Sequence, residues 1–235
     1  MPRTARVIVD GGTYHVLTRG NNSQRVFHDD RDYERYLELL STSLQEHQLK
    51  LYHFVLMPDH VHLVLEVRQR GGLSQAMRSL NLRYALFYQR RYRYRGHLWQ
   101  GRFKSLWLDR ERDLLECGRF VELNPVRAGL VDHPRDYAWS SYPVYAEGHE
   151  HPCLVPHPLY EALGRSANER QQQYRQFVQE GLCKNATTPA IAHRPIMGIP
   201  LPHTPGQNGR TFIFAGRSSG RPRKLQIEVP NGTGP

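Results

Sequence analysis

Two histidines, His60 and His62, are separated by a single apolar residue in the phrase MPDHVHL, residues 57–63. In a β-strand alternate residues lie on one face, so both imidazoles would project to the same side, about 6.6 Å apart at the backbone. Two neutral imidazoles at that spacing can bind one divalent cation. The alternative is that they are ordinary polar residues on the solvated face of a half-buried strand, and other motifs must decide between the two.

Two further phrases follow in the chain, GHLWQGRFKS at 96–105 and RFVELNPVRAG at 119–129. Together with MPDHVHL they resemble the REP-associated tyrosine transposases, a family of single-tyrosine HUH transposases, over about residues 12–145. The resemblance implies that His60 and His62 hold Mg²⁺ or Mn²⁺ and that Asn124 completes the metal site. It also implies a partner, single-stranded DNA that folds into a palindromic hairpin, which such enzymes cleave and rejoin through a 5′-phosphotyrosine.

The sequence departs from this family at one position, because Phe120 stands where the family has its nucleophilic tyrosine. Phenylalanine has no oxygen to attack phosphorus, so we expect this copy to bind DNA without cleaving it. The otherwise intact motifs favour a substitution introduced into an active chain over a natural replacement. A third explanation is that Tyr84 or Tyr88, on the preceding helix, serves as the nucleophile instead.

The candidate DNA contacts are basic, amide and aromatic side chains, which suit phosphates and base faces. They are Arg19, Asn21 and Asn22 after the first strand, Arg83 and Arg90 on a basic, aromatic-rich helix, Trp99, Gln100, Arg102 and Lys104 in the second phrase, and Arg127 in the third. For the helix, the alternative is that the aromatic residues are core and the arginines a solvated face. For Asn21 and Asn22, the alternative is an ordinary turn.

Charge and composition agree with a nucleic-acid partner. Lys and Arg number 32 against 22 Asp and Glu, a formal net charge of +10, which favours a polyanion. The three cysteines lack a zinc or disulfide pattern, and no signal peptide or membrane segment is evident. We therefore expect a soluble protein of the bacterial cytoplasm, associated with the nucleoid. The sequence leaves both a monomer and a dimer open.

The hydrophobic periodicity predicts the elements that would position these residues. Strands are expected at 14–19, 50–57, 60–66 and 102–108, and helices at 32–47, 73–92 and from 111 to near Asn124, where Pro125 disfavours further helix. The fold class is α+β: a ferredoxin-like β-α-β-β-α-β antiparallel sheet with helices on one face. Further helices are expected at 159–163 and 168–180.

We expect three regions: the HUH domain at 1–131, a helical C-terminal extension at 132–184, and a Pro/Gly-rich, flexible basic tail at 185–235. A different class of function is also open. A ferredoxin-like sheet is the scaffold of RRM modules, so a non-enzymatic nucleic-acid-binding protein is the alternative, although no aromatic-rich RNP phrase is evident.

Overall fold

Four strands of the chain form one antiparallel sheet with the order β2-β3-β1-β4. The computed structural model describes residues 8–69, 71–108 and 111–183. The basic tail expected at 185–235 therefore lies outside the described residues. The elements are β1 (Thr13–Arg19), α1 (Asp30–Glu46), β2 (Leu49–Met57), β3 (His60–Val67), α2 (Gly72–Tyr92), β4 (Lys104–Leu108), α3 (Glu111–Glu122), α4 (Asn124–Arg127), α5 (Tyr142–Glu147), α6 (Pro158–Glu161) and α7 (Ala167–Cys183).

The β-α-β-β-α-β order and the α+β class predicted from the sequence are confirmed. Helix α1 begins where the Asp29 side chain accepts a hydrogen bond from the backbone N–H of Asp32, an N-cap that satisfies a free donor of the first turn. Its buried residues include Tyr36, Leu40 and Leu44, the stripe at helical spacing that predicted it.

Helices α1 and α2 cover one face of the sheet. Strand β3 turns Val61, Leu63 and Leu65 toward this side, where they join one buried core with Tyr36 of α1 and Leu80 of α2. Because alternate strand residues point to opposite faces, His60 and His62 must lie on the other face. The two helices therefore stabilise the sheet from behind the histidine pair.

The histidine face is also covered, by an element that the sequence did not assign to a face. Helix α3 places Leu114, Cys117 and Val121 in a second buried core with Val55 and Val64 of the sheet. Burying the apolar stripe of an amphipathic helix is what fixes its position on a sheet. Residues 119–129, the third phrase, span the end of α3. This packing therefore holds them against the sheet face that carries His60 and His62.

The segment after α4 packs beside β2 and covers that edge of the sheet. The backbone N–H of Leu56 donates to Trp139 O at 2.9 Å, and that of Ser141 donates to Phe54 O at 3.0 Å. Helices α5, α6 and α7 form a third core with Leu123 at the end of α3. Pairing or covering an edge strand prevents it from templating aggregation. None of the described helices is long and apolar enough to span a membrane.

Candidate active site

The two histidines of the HUH phrase lie together on β3. Their ring centroids are 5.0 Å apart and the rings are nearly perpendicular, with an interplanar angle of 82°. His62 is buried and His60 is partly exposed. The sequence predicted, from strand alternation, that the two imidazoles share a face. The register of β3 with β1 confirms this prediction.

Each of these histidines has its Nδ1 atom held by a neighbouring side chain. His60 Nδ1 lies 2.6 Å from Asp59 Oδ1. His62 Nδ1 lies 2.7 Å from Nε2 of His15 on β1. A carboxylate only accepts, so Nδ1 of His60 donates and its Nε2 keeps a lone pair. In the described part of the chain, neither Nε2 atom of the pair has a hydrogen-bond partner.

His15 was not among the residues that the sequence singled out. It is only 9% exposed, and its ring lies edge to edge with that of His62, nearly coplanar with it at 14°, with centroids 4.9 Å apart. The register pairs Leu17 with His62, so His15, two residues away, is the diagonal neighbour on the same face. A signal existed in the sequence, because His15 alternates with the apolar residues Tyr14 and Val16, but the register that brings it to His62 was not readable.

Phe120 projects from α3 toward this group of histidines. Its ring lies edge-on to His62 at 5.9 Å between centroids and to His15 at 6.1 Å. The two interplanar angles are 88° and 77°. Phe120, which the resemblance places at the position of the tyrosine, is therefore a neighbour of the histidine pair.

Asn124 and Arg127 follow Phe120 in the sequence, and both contact it. Helix α3 ends at Glu122, slightly before the predicted end, and Asn124 opens the short helix α4. The Asn124 amide donates to Phe120 O at 2.9 Å, and no residue in the described ranges donates to its oxygen. The Arg127 guanidinium carbon lies 5.1 Å from the centre of the Phe120 ring, a cation–π contact.

A buried polar network fixes the end of α3 to the sheet. Glu122 is fully buried, and its Oε1 lies 3.0 Å from Nδ1 of His53 on β2. Ser141 Oγ donates to the same oxygen at 2.5 Å, and the Tyr174 hydroxyl on α7 donates to Oε2 at 2.7 Å. Three partners offset the cost of burying a carboxylate. The network thus sets where Phe120, two residues earlier, lies on the sheet.

The predicted cationic contacts divide between the two faces. Arg19 is paired with His60 across β1 and β3, and Lys104 of β4 is paired with Leu17, so both share the histidine face with Arg127. Arg83 and Arg90 are on α2, which packs behind the sheet. Arg83 also contacts Glu46 of α1 at 3.1 Å. The structure therefore brings three of the predicted cations, and not these two, to the histidine side.

The loop after β1 is hydrogen-bonded both to the turn that precedes His60 and to the second phrase, residues 96–105. Gly20 N–H donates to Asp59 O at 2.7 Å and Asn21 N–H donates to Leu98 O at 2.8 Å. A Cβ on Gly20 would lie 2.3 Å from Gln24 O, so only glycine fits there. Asn22 has a positive φ of 51°, which asparagine tolerates well, so the turn explains this residue without a DNA contact.

The remaining contacts predicted from the second phrase differ in exposure. Trp99 is half-buried, and its Nε1 donates to Asn81 O on α2 at 2.9 Å, so packing accounts for its ring. Gln100 and Arg102 are exposed. Their exposure leaves them accessible to a ligand, and their DNA contacts stay predictions.

Tyr84 and Tyr88, proposed as alternative nucleophiles, are both buried on α2. The Tyr84 hydroxyl donates to Val26 O at 2.7 Å, and the Tyr88 hydroxyl donates to Arg25 O at 3.2 Å. Burial raises the pKa of both phenols, which makes the phenolate harder to form. The structure favours a core role for these tyrosines, on the face of the sheet opposite the histidines.

Burial is the main influence on the ionisation of the site. It lowers the pKa of His15 to about 4. It also lowers the pKa of His60, an effect that Asp59 opposes, and holds that of His62 well below its ordinary value, with help from His15, His60 and Arg19. Neutral imidazole is the form that ligates a metal, so this environment favours the ligating state.

The donor set fits a divalent cation that takes further ligands from elsewhere. Among the described residues, neither His60 Nε2 nor His62 Nε2 has a hydrogen-bond partner, and the Asn124 amide oxygen is the third ligand that the resemblance implies. No group of three or more His, Cys, Asp or Glu side chains within the described ranges could hold a metal ion by itself. Two imidazoles and an amide oxygen leave coordination positions for water or a phosphate oxygen, as Mn²⁺ and Mg²⁺ require.

Comparison with known proteins agrees with this fold. Residues 8–122 match the model of the family described as "Transposase IS200 like". A protein of Haemophilus influenzae that bears the name REP-associated tyrosine transposase is 27% identical over 97 residues, 37% of this chain and 55% of that protein. The chain thus matches about half the length of this relative.

A solved structure described as a REP-associated tyrosine transposase bound to a REP hairpin has the same fold. It superposes with a TM-score of 0.53 at 17% identity, over 67% of this chain and 93% of that one. At this identity the likeness concerns the fold alone. The fold, the histidine pair and the family match indicate one class for residues 8–122, the IS200-like transposases. Within that class, the chain is similar to the REP-associated tyrosine transposases, as the three phrases implied.

Proposed function

We propose that this chain binds single-stranded DNA folded into a palindromic hairpin and that it does not cleave this DNA, because Phe120 occupies the position of the nucleophile. The observation that carries the proposal is the edge-on contact between the Phe120 ring and His62, at 5.9 Å. The related structure that shares the fold is described as bound to a REP hairpin, which supports the choice of partner.

The histidine face has the charges that a phosphodiester needs. Arg19 and Lys104 flank the histidines on the sheet, and Arg127 lies above the ring of Phe120. Arginine and lysine bind phosphate oxygens and neutralise their charge. These three side chains would hold the DNA backbone against the face from which Phe120 projects.

With tyrosine at position 120, the same geometry supports strand cleavage. Mg²⁺ or Mn²⁺ held by His60, His62 and Asn124 would supply Lewis-acid polarisation of the scissile phosphate. The phenol oxygen loses its proton and forms a bond to phosphorus, the bond from phosphorus to O3′ breaks, and the departing O3′ takes up a proton. The products are a 5′-phosphotyrosine and a free 3′-hydroxyl. Arg127 would stabilise the charge that develops on the phosphate oxygens.

A gel assay with labelled DNA tests this proposal. The full chain, Phe120→Tyr and Phe87→Tyr are incubated with Mn²⁺ and single-stranded DNA that carries the palindromes flanking the gene, and products are separated under denaturing conditions. Phe87 is half-buried on α2, behind the sheet, so Phe87→Tyr controls for an added phenol outside the site. Adding His60→Ala to Phe120→Tyr tests the metal ligand.

We expect a covalent adduct and a cut strand from Phe120→Tyr alone, and loss of both when His60→Ala is added. Native gels should show hairpin binding by the unaltered chain. If neither it nor Phe120→Tyr cuts and both bind the hairpin, the protein is a binding module and the active-site assignment is wrong. An adduct formed by the unaltered chain would place the nucleophile at another residue.

A further inference from the structure

His60 and His62, which we call the HUH pair, each have a different side chain within hydrogen-bond distance of Nδ1. His60 has the Asp59 carboxylate at 2.6 Å and His62 has the His15 imidazole at 2.7 Å. Metal-bound histidines characteristically donate their second ring nitrogen to such a partner, which sets the tautomer and the orientation of the ring. A carboxylate enforces this without ambiguity, whereas an imidazole can either donate or accept. Which ring donates in the His15–His62 hydrogen bond therefore depends on the tautomers of the two rings.

Only one direction leaves His62 able to ligate. If His15 Nε2 donated, then His62 Nδ1 would accept, and the proton of the neutral ring would occupy Nε2, the atom that faces a cation. If His62 Nδ1 donates, its Nε2 retains the lone pair. His15 is 9% exposed, and its ring is nearly coplanar with that of His62, at 14°, so that Nδ1–H of one ring can point at the in-plane lone pair of the other.

We propose that His15 is a positioning residue of the metal site: its Nε2 accepts a hydrogen bond from Nδ1–H of His62 and so keeps the Nε2 of His62 unprotonated and aimed for ligation. This inference rests on the proposed function, because it requires that His60 and His62 bind a divalent cation. His15 itself does not contact the ion. Its contribution is to remove the competing tautomer of His62 before the ion arrives.

Packing alone would give a different pattern of sensitivity. Phe120 lies edge-on to both His15 and His62, so an aromatic ring at position 15 preserves these contacts. His15→Phe keeps the ring and removes the acceptor. His15→Gln removes the ring, while its amide oxygen lies about where Nε2 was and can accept from the same Nδ1–H. If His15 only packs, His15→Phe should preserve Mn²⁺ affinity better than His15→Gln. If His15 positions His62, His15→Gln should preserve it better.

The first measurement is Mn²⁺ affinity without DNA, from the electron paramagnetic resonance signal of free Mn²⁺, for the full chain and its variants. We expect His15→Phe to weaken binding about 10- to 100-fold, as is usual when such a supporting partner is lost. His15→Gln should stay close to the unaltered chain. His28→Phe removes a histidine that bonds Tyr88 behind the sheet, and it should leave the affinity unchanged.

The second measurement reads the tautomer directly in the unaltered chain, so it does not depend on whether a variant folds. Nitrogen-15 correlation spectra of the metal-free protein at neutral pH should show His62 with its proton on Nδ1, as for His60. A proton on Nε2 of His62 would overturn the proposal. Equal Mn²⁺ affinity for His15→Phe and the unaltered chain would overturn it as well.

These outcomes separate the inference from the function on which it rests. If His60→Ala and His62→Ala abolish Mn²⁺ binding while His15→Phe does not weaken it, the metal site stands and the role of His15 is wrong. If His60→Ala and His62→Ala leave Mn²⁺ binding unchanged, the metal site itself fails, and the proposed function loses its metal.

Discussion

Nδ1 of His53 and Oε1 of Glu122 lie 3.0 Å apart, with both side chains almost fully buried. This hydrogen bond joins the edge strand β2 to the last residue of α3. It sets the end of the helix that carries position 120, on the face where the HUH pair lies. A buried contact between residues 69 apart in the chain thus positions the candidate site.

Removing this carboxylate should unfold the protein readily. Glu122→Ala leaves the buried donors of His53, Ser141 and Tyr174 without their acceptor, so we expect the free energy of unfolding to fall by about 3–5 kcal/mol. Chemical denaturation measures the loss. Glu116→Ala, which removes a partly exposed partner of Arg119 on the same helix, should cost less than about 1 kcal/mol. Equal losses for both variants would contradict the role of Glu122.

Gly118 provides a test of how closely α3 approaches the sheet. A Cβ at this position would lie 2.5 Å from the ring of His53. Replacing a helical glycine by alanine ordinarily stabilises a helix by about 0.5–1 kcal/mol. Here we expect Gly118→Ala to destabilise the protein by about 1–3 kcal/mol, because the helix must move off the sheet. Thermal or urea unfolding gives the sign directly, and a stabilised variant would show that the helix is free to shift.

The division of cations between the faces predicts which of them contact DNA phosphates. Arg19→Ala, Lys104→Ala and Arg127→Ala should each weaken hairpin binding and reduce the dependence of log K on log salt by about 0.7–0.9. Arg83→Ala and Arg90→Ala should leave that slope unchanged, since both side chains are on α2, behind the sheet. Fluorescence anisotropy across a salt series measures the slopes. A slope that changes for Arg83→Ala would place the DNA on the α2 side.

His133 should give the C-terminal region a modest sensitivity to acid. Its Nδ1 accepts from N and Nε of Arg135, at 3.1 and 3.2 Å. Burial and then Arg135 lower the pKa of His133 below 6.5, while Asp136 and Glu147 oppose them. Such a histidine contributes its full stability above pH 6.5, and the contribution is lost as the pH falls through the folded-state pKa.

The imidazole proton shifts of His133, followed by NMR, should therefore titrate with a midpoint below 6.5. His133→Asn keeps an acceptor and cannot titrate, so its unfolding free energy should depend less on pH in this range, by under about 1 kcal/mol. A midpoint at or above 6.5 would mean that the contacts between His133 and Arg135 do not form in solution.

Local patterns in the sequence were sufficient to predict the four strands and the long helices α1, α2, α3 and α7, but not the short helices α4 and α5. The stripe of Tyr36, Leu40 and Leu44 predicted α1, and alternation around His60 and His62 placed both imidazoles on one face, because each signal depends on neighbouring residues alone. What escaped prediction depends on residues far apart in the chain. His15 meets His62 through the β1–β3 register, and Glu122 meets His53 across the packing of α3 on β2.

The charged residues show the same limit. Arg83 and Arg90 have the composition expected of a DNA-binding helix, but composition does not say which face of the sheet the helix covers. The burial of Leu80 and Tyr84 behind the sheet determines that face, and this depends on how α2 packs against α1.

The two central strands of the sheet, β1 and β3, are not a hairpin. The chain makes α1 and β2 before it returns to pair them, and 47 residues separate His15 from His62. Contacts of such long range form late in folding, because the intervening loop must first be closed. An unfolded or half-assembled chain therefore lacks the His15–His62 contact that, in our proposal, orients one of the two metal-binding histidines. Capture of Mn²⁺ during refolding would mark the last stage of assembly, and the bound ion would slow the return to the unfolded state.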